Sequence, residues 1–133
     1  MSILREKSYV FAIRIVKLHK YLNDKFHIYK LSEQILKSGT AIGALVREAE
    51  FAQSKADFIN KVSIGLKEAN ETDFWLNLLK DTDYLEEKLF LSLEADVKEL
   101  IRLAVSSIKT AKKNQDNEKL KSEKLKVKSE KRM

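Results

Sequence analysis

The sequence predicts an all-α fold, an antiparallel up-down-up-down four-helix bundle, on three observations. The 133-residue chain has no proline and three glycines, Gly39, Gly43 and Gly65, too little punctuation for a turn-rich β fold. Leu, Ile, Ala, Lys and Glu dominate, a balance that favours helix. Apolar residues recur at three- and four-residue spacing along four long segments with short connections between them.

The first helix is expected over residues 4–22, where Leu4, Phe11, Ile15, Leu18 and Leu22 fall on one side. Tyr9, Val10, Ile13, Val16 and Tyr21 point elsewhere, so the helix is apolar over more than one stripe. A surface helix with a single buried face would be polar there, and the surplus implies a second contact, with another subunit. Asn23-Asp24-Lys25 is expected to break the helix. The second helix, residues 29–52, has Leu31, Ile35, Ile42, Leu45, Val46 and Ala49 on its core side. Gly39 and Gly43 share one face of it, at a cost of about 1 kcal/mol each relative to alanine, which implies the close approach of another helix.

Ser54-Lys55-Ala56-Asp57 reads as an N-cap followed by an acid at the third helical position, a variant of the capping box. It opens a third helix over residues 55–80, with Phe58, Ile59, Val62, Leu66, Ala69, Leu76 and Leu79 on its main face and Ile64, Trp75 and Leu78 roughly opposite. Residues 81–91 read as a connector. Ser92 is the expected cap of the fourth helix, with Glu94 and Asp96 in its first turn. Its stripe is Leu93, Val97, Leu100, Ile101, Ala104, Ile108 and Ala111. The bundle is therefore assigned to residues 1–113. Residues 114–133, low in complexity and without apolar periodicity, are expected to be disordered or frayed helix.

The formal net charge of +6 is unevenly placed. Residues 1–111 carry 17 Lys/Arg and 16 Asp/Glu, and residues 112–133 carry 9 and 4, so the two parts contribute +1 and +5. The basic pI thus describes the tail more than the body. With no cysteine there is no disulfide framework, thiolate metal site or cysteine nucleophile. No signal peptide or membrane-length apolar run is visible, which places the expected location in the cytoplasm, away from a membrane.

Catalytic chemistry is not legible. His19 and His27 lack carboxylates at the spacing of helical metal sites, and no nucleotide, hydrolase or metalloprotease motif occurs. Glu68 and Glu71, with Glu48, read as ion-pairing residues. No enzymatic activity, cofactor or metal is expected. The binding candidates are basic. Lys98, Arg102, Lys109 and Lys113 line one flank of the fourth helix, and Arg14 and Lys17 lie near Tyr21 on the first. Such stripes suit phosphate backbones, and they also occur on ordinary solvated faces. The candidate self-association residues are Val10, Ile13, Val16, Ile64, Trp75 and Leu78.

The stretches REKSYVFAIRIVKLHKYL, LSEQILKSGTAIGALVREAEFAQSKADFINKVSIGLKEANETDFWLNLLK and ELIRLAVSSIKTAKK together resemble the bacterial four helix bundle protein family. It was first named for proteins encoded in intervening sequences of the 23S ribosomal RNA gene, and its fold includes the accessory variability determinant of diversity-generating retroelements. The resemblance spans residues 4–113. It implies a homopentamer around a central channel, RNA or DNA as a partner and, in the retroelement branch, partnership with a reverse transcriptase. It supplies no enzymatic motif. The expected function is a non-enzymatic oligomeric adaptor that binds RNA or DNA through basic helix faces; the alternative is a protein–protein interaction module.

Overall fold

The computed structural model describes residues 2–132 as four α-helices: α1 (Ser2–Phe26), α2 (Tyr29–Glu50), α3 (Lys55–Asp81) and α4 (Glu87–Arg132). Each helix packs against the next in sequence, and a thinner α1–α4 contact closes the cycle. This is a bundle of antiparallel neighbours with short loops.

The core is the set of stripes expected from spacing. Phe11, Ile15 and Leu22 of α1, Ile35 of α2, Leu76 and Leu79 of α3, and Leu93 and Leu100 of α4 are all fully buried. Each contributes about 1.5–3 kcal/mol relative to exposure. Buried hydroxyls have partners: Ser38 and Thr72 hydrogen-bond across the α2–α3 seam (2.9 Å), and Ser32 donates to Asn23 Oδ1 (2.6 Å).

The helix ends follow local chemistry. At the start of α3, Ser54 Oγ accepts from Asp57 N (3.0 Å), and Asp57 reaches back to Gln53 N (3.4 Å). At its end, Asp83 adopts a left-handed φ of 67°, and Tyr84 N bonds Leu79 O while Asp83 N bonds Lys80 O, the pattern of a Schellman closure.

Three expected boundaries shift. α1 does not stop at Asn23 but runs to Phe26, because Phe26 follows Leu22 by one turn and packs against the core; the break falls at His27, whose φ is 58°. α4 begins at Glu87, so Ser92 is internal rather than a cap. Leu85 and Phe90, assigned to a connector by the sequence, are buried, and Phe90 begins the spacing that Leu93 and Val97 continue. Third, α4 runs on through residues 114–132 as helix, exposed wherever side chains are described. An ion pair between Lys55 and Glu118 ties this extension to α3.

The glycines of α2 mark its closest neighbour. A Cβ at Gly39 would lie 2.8 Å from Ile15 Cγ1, and one at Gly43 would lie 3.2 Å from the Ser8 carbonyl oxygen. Both contacts are with α1. Gly39→Ala gains about 1 kcal/mol of helix propensity but must displace a fully buried isoleucine, an overpacking cost of about 1–3 kcal/mol. The variant is expected to melt below the wild type. A higher melting temperature would show that Ile15 yields easily and that close approach is not why α2 keeps this glycine.

Candidate nucleic-acid interface and self-association faces

The six basic candidates divide into three groups. Arg14 points into the α1–α4 seam, where Nη1 lies 2.6 Å from Asp96 Oδ2 and Nη2 donates to Ser92 Oγ at 3.0 Å. Lys7 pairs with Glu99 across the same seam at 2.9 Å. On the other flank of α4, Lys98 pairs with Asp73 of α3 at 3.2 Å, while Asn77 donates to Glu94. Arg14 and Lys98 thus hold α4 to its two neighbours. Lys17 is exposed and lines a cleft of about 390 Å³ with Arg14, Tyr21 and Leu89.

Arg102, Lys109 and Lys113 are different. All three are exposed on the outer side of α4, and among the described residues none of them enters an ion pair. The structure therefore gathers three of the six candidates on one outward face and puts Arg14 and Lys98 in opposite seams. The partners Asp73 and Asp96 were not legible as such, since pairing across helices depends on register.

The apolar candidates also separate. Val10, Ile13 and Val16 are exposed on the outer face of α1 at 56%, 40% and 39%, and Tyr9 joins them at 56%. Its ring also carries the Arg47 guanidinium at 5.7 Å. On α3, Ile64 is exposed, whereas Trp75 and Leu78 are half-buried. Trp75 packs against the core, donates Nε1 to Glu71 Oε2 (3.2 Å) and meets the ring of Phe74 edge-on at 5.0 Å. Phe74, 57% exposed, is the outward aromatic that the sequence reading missed. Its spacing of four from Leu78 was the available signal.

Glu68 sits half-buried on α3, beside Glu71. Burial pushes its carboxyl above the usual range, and the Glu71 charge adds to this; Lys67 and Lys37 offset part of the rise. His19 Nε2 lies 3.2 Å from Asn23 Nδ2 and His27 Nδ1 lies 3.2 Å from Tyr29 OH. Among the described residues no group of three or more His, Cys, Asp or Glu is arranged to hold a metal ion, and no helix is long and apolar enough to cross a membrane.

A family model described as 23S rRNA-intervening sequence protein matches residues 2–106. The chain belongs to that family. A crystal structure at 1.70 Å, of a protein of unknown function from the S23 ribosomal protein family of Bacteroides thetaiotaomicron VPI-5482, is 51% identical to it. The two align with a TM-score of 0.79, covering 80% of this chain and 98% of that one. No curated protein matches. The family match holds Arg14, Lys17, Lys98 and Arg102 and stops short of Lys109 and Lys113.

The Glu68 environment makes a pH prediction. Its folded-state pKa is raised, so the folded state binds this proton more tightly than the unfolded chain. That contribution is fully present below the unfolded carboxylate pKa and is lost as pH rises through the folded value. Glu68→Gln should therefore match the wild type below about pH 3.5 and exceed it in stability near neutral pH. Urea denaturation at both pH values checks this. An equal difference at the two would mean that the carboxyl titrates alike in both states.

Proposed function

We propose that this chain is a non-enzymatic, self-associating bundle that binds RNA or DNA through the outer face of α4. The observation that supports the reading best is the set Arg102, Lys109 and Lys113, exposed and without a carboxylate partner among the described residues. Cations held in seams must give up a partner before they contact a phosphate; these three need not. Contacts of this kind are to the backbone, so binding is salt-sensitive and weakly sequence-dependent.

Self-association makes such a small patch useful. The apolar outer faces lie on α1 (Tyr9, Val10, Ile13, Val16) and α3 (Ile64, Phe74, Leu78), two helices that are diagonal in the bundle. A contact of one copy's α1 face with the next copy's α3 face is heterologous and can close into a ring. The family resemblance gives five as the number of copies. Each copy adds its own α4, and multivalency raises the avidity of weak single contacts.

Light scattering coupled to gel filtration should return a multiple of the 15.4 kDa chain mass, and Val10→Glu with Ile13→Glu should reduce it to one. A folded wild-type monomer at micromolar concentration overturns the assembly reading. For the bundle alone, a chain ending at Lys113 should bind short RNA and DNA at about 50 mM salt and lose most of that affinity at about 200 mM. Arg102→Glu with Lys109→Glu should abolish this binding and leave the oligomer intact. If the shortened chain binds neither nucleic acid, the interaction-module reading replaces this one for the bundle.

A further inference from the structure

The continuation of α4 turns a compositional feature into a geometric one. Because the helix is uninterrupted from Glu87 to Arg132, its later side chains are in phase with Arg102 and Lys109. At about 100° per residue, Arg102, Lys109, Lys113, Lys121, Lys124, Lys128 and Lys131 all lie within about 60° of one direction. The four acids of the same stretch, Asp116, Glu118, Glu123 and Glu130, point about 80° or more away from it. Glu118 is the one paired with Lys55 of α3, on the side that faces the body. The cationic face is thus directed outward, bordered by Asp116 about 20° beyond Lys109, and about 44 Å long at 1.5 Å per residue.

Within this face, like charges stand at helical neighbour spacing. Lys109 and Lys113, and Lys124 and Lys128, are like charges at i, i+4, and Lys121–Lys124 and Lys128–Lys131 repeat the conflict at i, i+3. Each destabilises an isolated helix by a few tenths of a kcal/mol. No packing offsets this, since the side chains described beyond Lys113 are exposed. Asp116 and Glu118, three residues from Lys113 and Lys121, relieve two positions of the row, but Lys109, Lys124, Lys128 and Lys131 have no carboxylate at i±3 or i±4. A polyanion on that face would remove the repulsion that is left.

We propose that the outer face of α4 from Arg102 to Lys131 is a docking surface for the phosphate backbone of a nucleic-acid duplex. A duplex carries one negative charge per about 1.7 Å of axis and stays straight over about 50 nm. It can therefore run beside a straight 44 Å row without deformation, whereas a flexible single strand must first be straightened. The inference extends the reading of the α4 face given above from three residues to seven and specifies the form of the partner. The helix beyond residue 106 lies outside the family match.

The test uses the full chain and fluorescently labelled RNA and DNA, each as duplex and as single strand. Lys124, Lys128 and Lys131 are changed together to Gln, and in a second variant Lys112, Lys119 and Lys126 are changed together. Both remove three charges, from opposite sides of the helix. The first should lose about tenfold or more in duplex affinity, with the log–log salt slope shallower by about three; the second should stay within about twofold. Asn117→Pro, which keeps every charge but breaks the helix, should weaken binding as the first triple does. Duplex binding should also raise the helical circular-dichroism signal. Equal losses from both triples, or wild-type affinity for Asn117→Pro, overturn the face. Single strands bound as tightly as duplexes overturn the duplex assignment. A chain ending at Lys113 separates the two readings: if it binds nothing while the full chain shows the face dependence, the arm stands and the bundle reading fails; if it binds as the full chain does, the arm fails and the bundle reading stands.

Discussion

The seating of Ile15 against Gly39 is the contact on which the rest of the bundle depends. Its Cγ1 stands 2.8 Å from where a Cβ of residue 39 would be, and four residues further along α2 the Ser8 carbonyl oxygen stands 3.2 Å from the same position at Gly43. α1 is therefore pressed onto α2 more closely than ordinary side chains permit. Its contact with α4 is thin by comparison, and that seam is closed by charge: Lys7 to Glu99, and Arg14 to Asp96 and Ser92. The small residues of α2 thus influence which cations the protein has left for other purposes.

Most of the basic side chains near the seams serve the fold. Ion pairs at partly exposed sites such as Arg14–Asp96 contribute roughly 0–1 kcal/mol, which is small beside a single buried leucine. Their consequence for function is larger than their energy, because a paired cation is a poor phosphate ligand until its partner is displaced. Arg102, Lys109 and Lys113, one helix face away, carry no such obligation. The same separation holds for apolar surface: Trp75 is committed to the core while Phe74 beside it, and Val10 and Ile13 on α1, remain outside.

The extension of α4 departs from the bundle's logic. Helices in small proteins are held by burial of one face rather than by propensity, and residues 114–131 bury none. What links them to the body is continuity of the backbone from a well-packed helix, together with Lys55–Glu118. Continuity has a consequence that composition lacks: it gives every later lysine an angular position relative to Arg102. A net charge of +5 on a flexible tail attracts any polyanion; the same charge sorted on a rod favours a partner that is itself straight.

Local pattern by itself determined the four helices, their core stripes, the cap at Ser54 and the importance of Gly39 and Gly43, because each of these depends on residues within a few positions of one another. It misplaced the start of α4, since Ser92 is an adequate cap in isolation and the competing evidence, burial of Leu85 and Phe90, comes from the other helices. It could not assign Asp96 to Arg14 or Asp73 to Lys98, because those partners are 82 and 25 residues apart and meet through inter-helix register. Nor could it phase the tail to the body, since the spacing of Lys124 and Lys131 from Arg102 has angular meaning only if no break intervenes. Tertiary structure decided which cations are spent in seams and which face outward, for the physical reason that a side chain's freedom is set by what packs beside it.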